Sequence, residues 1–446
     1  MSLSVVSVIL ACVALMVLYY FDFEPFYSAV IAVLILVVFN GLNAIETVTT
    51  TMISGGANML ATMIPLILPG AVLAEVYTKT GAAESLANFL AKLVGKLFKD
   101  SFKSRLHAAL ITIAIVSIIL MLGGLNGFVT MFATYPIVLS LLKSLDLPRR
   151  YTPALVFGLT TSAMQMLPGS PQLYNAVANA VVSKVTGQSL SAAACLIPGL
   201  IGSALMLVAS YIYLYVALLR EHNKGNGYVP GMGDPVEVQD GTPKANPILA
   251  LIPLVFVFCM YNFFKLNLGV TCTLAFIIAI LLFVKKFHGF KDVITVIAEG
   301  IRKASYSLII ALAISGFGVV LNSTSGYQSI TDALLAGSSS VPLFGLALAL
   351  FVLVGLQGNG VSGMQVALPG LTGKLFAAGV DAGAIQRVAA TAATTLETIP
   401  TNTALITLNK MIGTKQRDTY GPVFITTVLI TTIVTVIVAL LCTIMV

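Results

Sequence analysis

Leu122-Gly123-Gly124-Leu125-Asn126-Gly127-Phe128 is a glycine-rich stretch inside an apolar run, and Pro136 follows ten residues after its asparagine. Gln357-Gly358-Asn359-Gly360-Val361 sits in a second apolar run, with Pro369 again ten residues after the asparagine. Pro168 then follows Pro136 by 32 residues, and Pro400 follows Pro369 by 31. Each later proline opens a polar interruption, Pro168-Gly169-Ser170-Pro171-Gln172 and Pro400-Thr401-Asn402-Thr403. Hydrophobic segments broken by Gly and Pro, at corresponding places in two halves of a chain, point to a secondary transporter's binding site.

The composition around these stretches sets the solvent. The chain has 446 residues, 58% hydrophobic and 9% charged, with a mean hydropathy of +0.99. So little charge does not suit a soluble domain of this size. Apolar runs of spanning length recur throughout, among them Leu3–Tyr20, Tyr27–Leu42, Leu106–Leu122, Ala193–Leu219, Leu268–Val284 and Phe424–Val446. Leu3–Tyr20 lacks a basic flank and a small-residue cleavage site, so it reads as a retained span. Cys12, Cys195, Cys259, Cys272 and Cys442 all lie in spans and suggest neither a disulfide framework nor a metal site. The net charge of +7 reports orientation rather than nucleic-acid binding.

The expected fold is an all-α polytopic membrane protein of two inverted-topology repeats, each with a re-entrant helical hairpin and an interrupted transmembrane helix. The first repeat covers 1–219, with scaffold helices in 1–105, hairpin and interrupted helix in 106–183, and a closing helix over 193–219. A polar linker follows at 220–246, rich in Gly and Pro. The second repeat covers 247–446, with scaffold in 247–340, hairpin and interrupted helix in 341–413, and a closing helix over 420–446. Three spans precede Lys92–Arg105, the third near Met59–Val76, so a cytoplasmic placement of that basic segment puts both termini outside. In that arrangement 20 of the 24 Lys and Arg fall inside, and only Lys184, Lys265, Lys374 and Arg387 fall outside. The linkers Ala44–Asn58 and Gly326–Ser340 carry no Lys or Arg and are assigned outside. The inner (cytoplasmic) membrane is the expected location.

A helix broken in hydrocarbon leaves N–H and C=O groups whose desolvation costs several kcal/mol each unless something satisfies them. Half-helix N-termini suit an anion, and half-helix C-terminal carbonyls suit a cation. The expected substrate is therefore an anionic solute, with a cation as coupling ion. The binding candidates are Gly124, Asn126 and Gly127 at the first tip, and Ser170 and Gln172 at the first interruption. Asn359, Gly360 and Ser362 stand at the second tip, and Thr401, Asn402 and Thr403 at the second interruption. Pro400 would open the second half-helix, because Pro at a first helical position has no N–H to lose. Glu397 is the only carboxylate between Asp381 and Asp418, and its repeat partner by position is Gln165. An intramembrane acid is a functional candidate. Glu397, Thr398, Ser170 and Ser362 form the ion-coupling set, with Glu397 the proton carrier if the ion is H⁺. Beyond a Na⁺ ion no metal or cofactor is expected. An enzyme would need a nucleophile–base pair or a metal cluster in the spans, and the sequence offers neither, so the chain does not read as an enzyme.

Gly70-Ala-Val-Leu-Ala-Glu75-Val-Tyr-Thr-Lys79-Thr-Gly81-Ala-Ala-Glu84-Ser-Leu-Ala87 resembles the corresponding stretch of the gluconate permease family, gluconate:proton symporters within the ion transporter superfamily. The resemblance continues through the Pro136 and Pro168 region and resumes from about Ser315 to the C-terminus. It implies proton-driven uptake of a small hydroxylated carboxylate by a homodimer, with a fixed scaffold and a transport domain moving as an elevator. Where the family carries a histidine-containing Pro-Pro-His-Pro-Gly-Pro run, this chain has Pro168-Gly169-Ser170-Pro171-Gln172. Thr401-Asn402-Thr403 also resembles the Ser-Asn-Thr signature of sodium-coupled dicarboxylate transporters in the same superfamily. Sodium-coupled di- or tricarboxylate transport, amino-acid transport and a channel remain the alternatives.

Overall fold

A computed structural model describes residues 2–20, 23–82, 85–86, 89, 101–125, 127–231, 245–336, 341–357, 360–400 and 402–446. Among them every regular element is a helix. The first half contains α1 (Leu3–Tyr20), α2 (Pro25–Asn40), α3 (Ile53–Lys79), α4 (Phe102–Leu122), α5 (Gly127–Ser144), α6 (Thr161–Met166), α7 (Leu173–Thr186) and α8 (Leu196–Asn223). The second contains α9 (Pro247–Asn262), α10 (Leu268–Leu282), α11 (Phe290–Asn322), α12 (Ser325–Ala336), α13 (Pro342–Gln357), α14 (Gly360–Ala377), α15 (Ala382–Ala392), α16 (Thr403–Ile412), α17 (Gln416–Phe424) and α18 (Ile430–Met445). The order of elements recurs. Each half has two helices and a long third, then a helical hairpin, a broken helix and a long closing helix; α12 precedes the hairpin of the second half, where the described residues of the first contain no complete helix.

Local chemistry sets the ends. Glu24 accepts hydrogen bonds from the Phe26 and Tyr27 amides and so caps α2, whose first residue is Pro25. Asn246 and Asn267 cap α9 and α10 in the same way. Phe102–Leu122, Leu196–Asn223 and Gln416–Met445 are long and apolar enough to cross a membrane. Exposed apolar residues line α1, α2, α8, α9, α10 and α18, for instance Val13, Val38, Val208, Val255, Leu281 and Ile433. With water as solvent that much exposed hydrocarbon would be an aggregation hazard, whereas lipid accepts it. The chain is a multi-pass helical membrane protein.

Two linkers expected as outer loops are helical. Asn43 caps a short turn, Ala44–Glu46, that leads through a π-helical segment, Thr47–Met52, directly into α3. The third long helix thus starts well before Met59, with Thr47, Met52 and Gly56 of this Thr- and Gly-containing run buried against protein. A Cβ on Gly56 would collide with the Leu312 carbonyl of α11, and one on Gly316 of α11 with the Met52 carbonyl, so these glycines let two backbones touch. The second linker forms α12, with Tyr327 and Thr331 buried and Asp332 exposed. The Ser4 hydroxyl of α1 accepts a hydrogen bond from the Gly326 amide at 2.7 Å. Hairpin and closing helices also extend past the expected limits, α4 beginning at Phe102 and α8 ending at Asn223.

The scaffold pairs the two halves, α3 lying along α11 and α10, and α11 also meeting α2. The hairpins and broken helices are likewise shared. α14 of the second hairpin packs on α7 of the first broken helix, and α15 packs on α7 and α18.

Candidate functional site

Four interruptions of helix were expected, and three of them fall among the described residues. The first tip lies between α4 and α5. Gly123 closes α4, and Gly124 has φ +86°, which L side chains rarely adopt. Asn126 lies outside the described residues. The second tip lies between α13 and α14, and its Gly358 and Asn359 are outside the described residues. The first broken helix parts between α6 and α7, over Leu167–Gln172. The second parts between α15 and α16, over residues 393–402. Thr401 and the side chains of Ser362 and Thr403 are outside the described residues.

The elements flanking these positions meet. Gln172 donates from Nε2 to the carbonyls of Met121 at 2.6 Å and Leu125 at 3.0 Å, tying the first break to the first tip. A Cβ on Gly127 would lie 2.8 Å from Thr161 Cγ2 and 3.4 Å from Gln165 Nε2, so the start of α5 rests on α6. At the second tip a Cβ on Gly360 would overlap the Ala393 carbonyl and stand 2.6 Å from the Tyr174 ring. Only glycine permits that approach of α14 to both breaks. The Glu397 carboxyl faces Tyr174 and Gln165, its partner by position in the other half. Gly127, Gln172, Gly360 and Glu397 therefore belong to one buried cluster built from both halves.

The prolines do not open the second half-helices. Pro168 and Pro400 lie inside the breaks, and α7 and α16 begin at Leu173 and Thr403. A side chain able to accept hydrogen bonds serves a helix start better than a residue that merely lacks an N–H. At α16 that residue is Asn402, which accepts from the Leu405 amide at 2.9 Å and donates to the Glu397 carbonyl at 2.9 Å. Its amide group is engaged by its own backbone. Thr398 donates to the Thr427 hydroxyl of the π-helical segment Ile425–Leu429, and Gln416 Nε2 reaches the Pro400 carbonyl at 2.6 Å.

The start of α7 is different. Gln172 occupies its cap position without a capping hydrogen bond. Ser170 is fully buried and its hydroxyl has no partner among the described residues. The buried Tyr174 hydroxyl likewise lacks a well-formed hydrogen bond, although it lies beside Glu397. Buried hydroxyls next to uncapped helix amides are unusual, because each orphaned polar group costs about 1–3 kcal/mol.

Arg387 was expected in an outer segment and is instead wholly buried in α15. It donates from Nη1 to the Met166 carbonyl at 2.7 Å and to Asn175 Oδ1 at 2.9 Å. Nη2 reaches the Ala192 carbonyl at 3.2 Å, and Nε and Nη2 reach Ala194 at 3.1 and 3.0 Å. Asn175 donates in turn to the Leu167 carbonyl at 2.7 Å and lies 3.4 Å from that of Ser170. The C-terminal carbonyls of the first half-helix are thus held by an arginine and an asparagine. Its hydrogen bonds offset part of the desolvation cost that a buried charge carries. No carboxylate pairs with it among the described residues. The first break therefore carries positive charge, and the second carries the acid Glu397.

No protein-family model matches the chain. It is 23% identical over 429 residues to an uncharacterized transporter, YxjC of Bacillus subtilis (strain 168), covering 86% of this chain and 87% of that one. Among solved structures it shares a fold with the Alcanivorax borkumensis YdaH transporter, whose crystal structure reveals an unusual topology. The TM-score is 0.52 at 14% identity, over 90% of this chain and 88% of that one.

Proposed function

We propose that the chain is a secondary-active importer of a small organic anion, a hydroxy- or short-chain carboxylate of the gluconate type. The observation that carries this is the start of α7, where an uncapped half-helix N-terminus and the unpartnered Ser170 hydroxyl adjoin the hydrogen-bonded positive charge of Arg387. Amide dipoles, a free hydroxyl and a nearby guanidinium all favour a carboxylate. YxjC and YdaH are both named as transporters, which supports transport over catalysis.

In this proposal the substrate carboxylate meets Ser170 and the first amides of α7, with Asn126 and Asn359 reaching it from the two tips. Asn402, engaged as a cap, holds the second break in shape. Glu397 carries the proton if the coupling ion is H⁺, whereas Na⁺ would rely on hydroxyls and carbonyls at the breaks. The similar succession of elements in the two halves supports two antiparallel repeats, and the resemblance to the gluconate permease family supports an elevator. A homodimer in the inner membrane, with both termini outside, completes the proposal.

The test is uptake of labelled gluconate and shorter hydroxy acids into liposomes containing the purified protein, under imposed H⁺ or Na⁺ gradients. Accumulation above equilibrium that follows one gradient is the expected result, and Glu397→Gln abolishes it if that gradient is of protons. Flux that dissipates every gradient without accumulation would mean a channel. No carboxylate uptake under either gradient would refute the proposal.

A further inference from the structure

We propose that Arg387 is a tethered cation. Its guanidinium fills the position at the first break where half-helix carbonyls would otherwise call for a free cation, so the coupling ion is not held there. This rests on transport as the function of the site and narrows where the ion can bind.

Half-helix C-termini gather carbonyl oxygens that accumulate negative potential, and transporters use such ends to coordinate coupling cations. Here α6 ends at Met166, and the carbonyl of that residue accepts from Arg387 Nη1. The loop returning toward α8 brings the Ala192 and Ala194 carbonyls to the same guanidinium. Asn175, in the first turn of α7, both accepts from Arg387 and donates to the carbonyl of Leu167, the next residue along. Four oxygens from three segments thus converge on one fixed positive group, as a coordination shell converges on an ion. The arginine arrives from α15, the opposite half of the chain. Its stem lies against Gly199 of α8, where a Cβ would stand 2.9 Å from Arg387 Cδ. The second break has no comparable cation among the described residues. There the Glu397 carbonyl is taken by Asn402, and the Glu397 carboxyl faces the neutral side chains of Tyr174 and Gln165. Charge that changes during transport is thereby left to the Glu397 side of the cluster.

Amide exchange tests this on the full-length protein without substrate, in NaCl and in choline chloride of equal ionic strength. Peptides spanning residues 164–194 are expected to exchange equally in both salts. Sodium-dependent protection of those peptides would overturn the proposal, whether or not any variant folds. Arg387→Ala removes the tethered group, and its melting midpoint is expected to fall by several degrees. N-ethylguanidinium should restore at least half of that loss without raising the wild-type midpoint. Arg387→Lys, which keeps a cation with fewer donors, should lie between the two. A folded Arg387→Ala protein that N-ethylguanidinium does not rescue would also overturn the proposal. Failure of carboxylate uptake would count against the transport proposal alone, since none of these measurements uses a substrate.

Discussion

Replacing Gln172 with leucine should release the first tip from the first break. The side chain is buried and spends both amide hydrogens on one target, the carbonyls of Met121 and Leu125. Leucine has nearly the same size, so packing changes little and the loss is mainly of two hydrogen bonds. Each contributes about 1 kcal/mol net, giving roughly 2 kcal/mol for the attachment. At about 1.4 kcal/mol per factor of ten, the detached tip becomes roughly 30-fold more populated. The Met121 carbonyl also accepts from the Gly124 amide, and the Leu125 amide bonds to Leu120, so these amides report the opening. Amide exchange in detergent, read by mass spectrometry over residues 118–125, should accelerate by that order, while exchange in α11 stays unchanged. Equal exchange in wild type and Gln172→Leu would refute the claim that Gln172 holds the tip. Equal acceleration in the tip and in α11 would show global loosening instead.

Ser170→Ala should leave thermal stability unchanged or raise it slightly, because the lost hydroxyl had no partner, while the melting shift produced by a bound carboxylate shrinks. A large loss of stability without ligand would mean that the hydroxyl is structural. Gly360→Ala forces the new methyl against the Ala393 carbonyl and Tyr174 and should cost about 1–3 kcal/mol as overpacking; normal stability and uptake would show that α14 need not approach so closely. Asp292, outside the spans, accepts from the His288 amide at 3.2 Å and pairs with Lys79 at 3.1 Å. The His288 amide first and Lys79 second hold its carboxyl below the ordinary aspartate range. A depressed value means that the pair's small contribution is complete above the ordinary aspartate range and fades as pH falls through the folded value. Asp292→Asn should thus lower the melting midpoint slightly at neutral pH and low salt, and not at pH low enough to protonate the carboxylate; an undiminished difference at low pH would contradict this.

Glycine and proline made the interruptions legible in sequence, because in an apolar run those residues have few uses besides turning or breaking a helix. Gln172 and Gly360 were found that way and Glu397 as a lone carboxylate in an apolar run, and all three stand where the broken elements meet. Arg387 was missed because basic residues of membrane proteins are first counted as orientation signals, and it was assigned to an outer segment. A signal existed: it is the only charged residue between Asp381 and Glu397, in a stretch otherwise rich in Ala and Thr. Asn402 was singled out for its amide, yet sequence could not show that Leu405 and the Glu397 carbonyl already use it. The helices over 44–58 and 325–336 read as loops because threonine, serine and glycine are weak helix formers in water. Contact with α11, and with α1 through Ser4, supplies what intrinsic propensity does not.

The interleaving of the two halves bears on how the polypeptide is made. α3 finds its long neighbour only in α11, α7 lies against α14 and α15, and α1 is fastened at Ser4 by the amide of Gly326. While the ribosome is still working on the middle of the message, the earliest spans sit in lipid with much of their eventual packing surface unmet. They settle only when the last third of the chain has been inserted. Truncation after the polar linker should therefore leave a membrane-inserted but protease-sensitive fragment, and supplying the missing part as a separate polypeptide should restore its resistance.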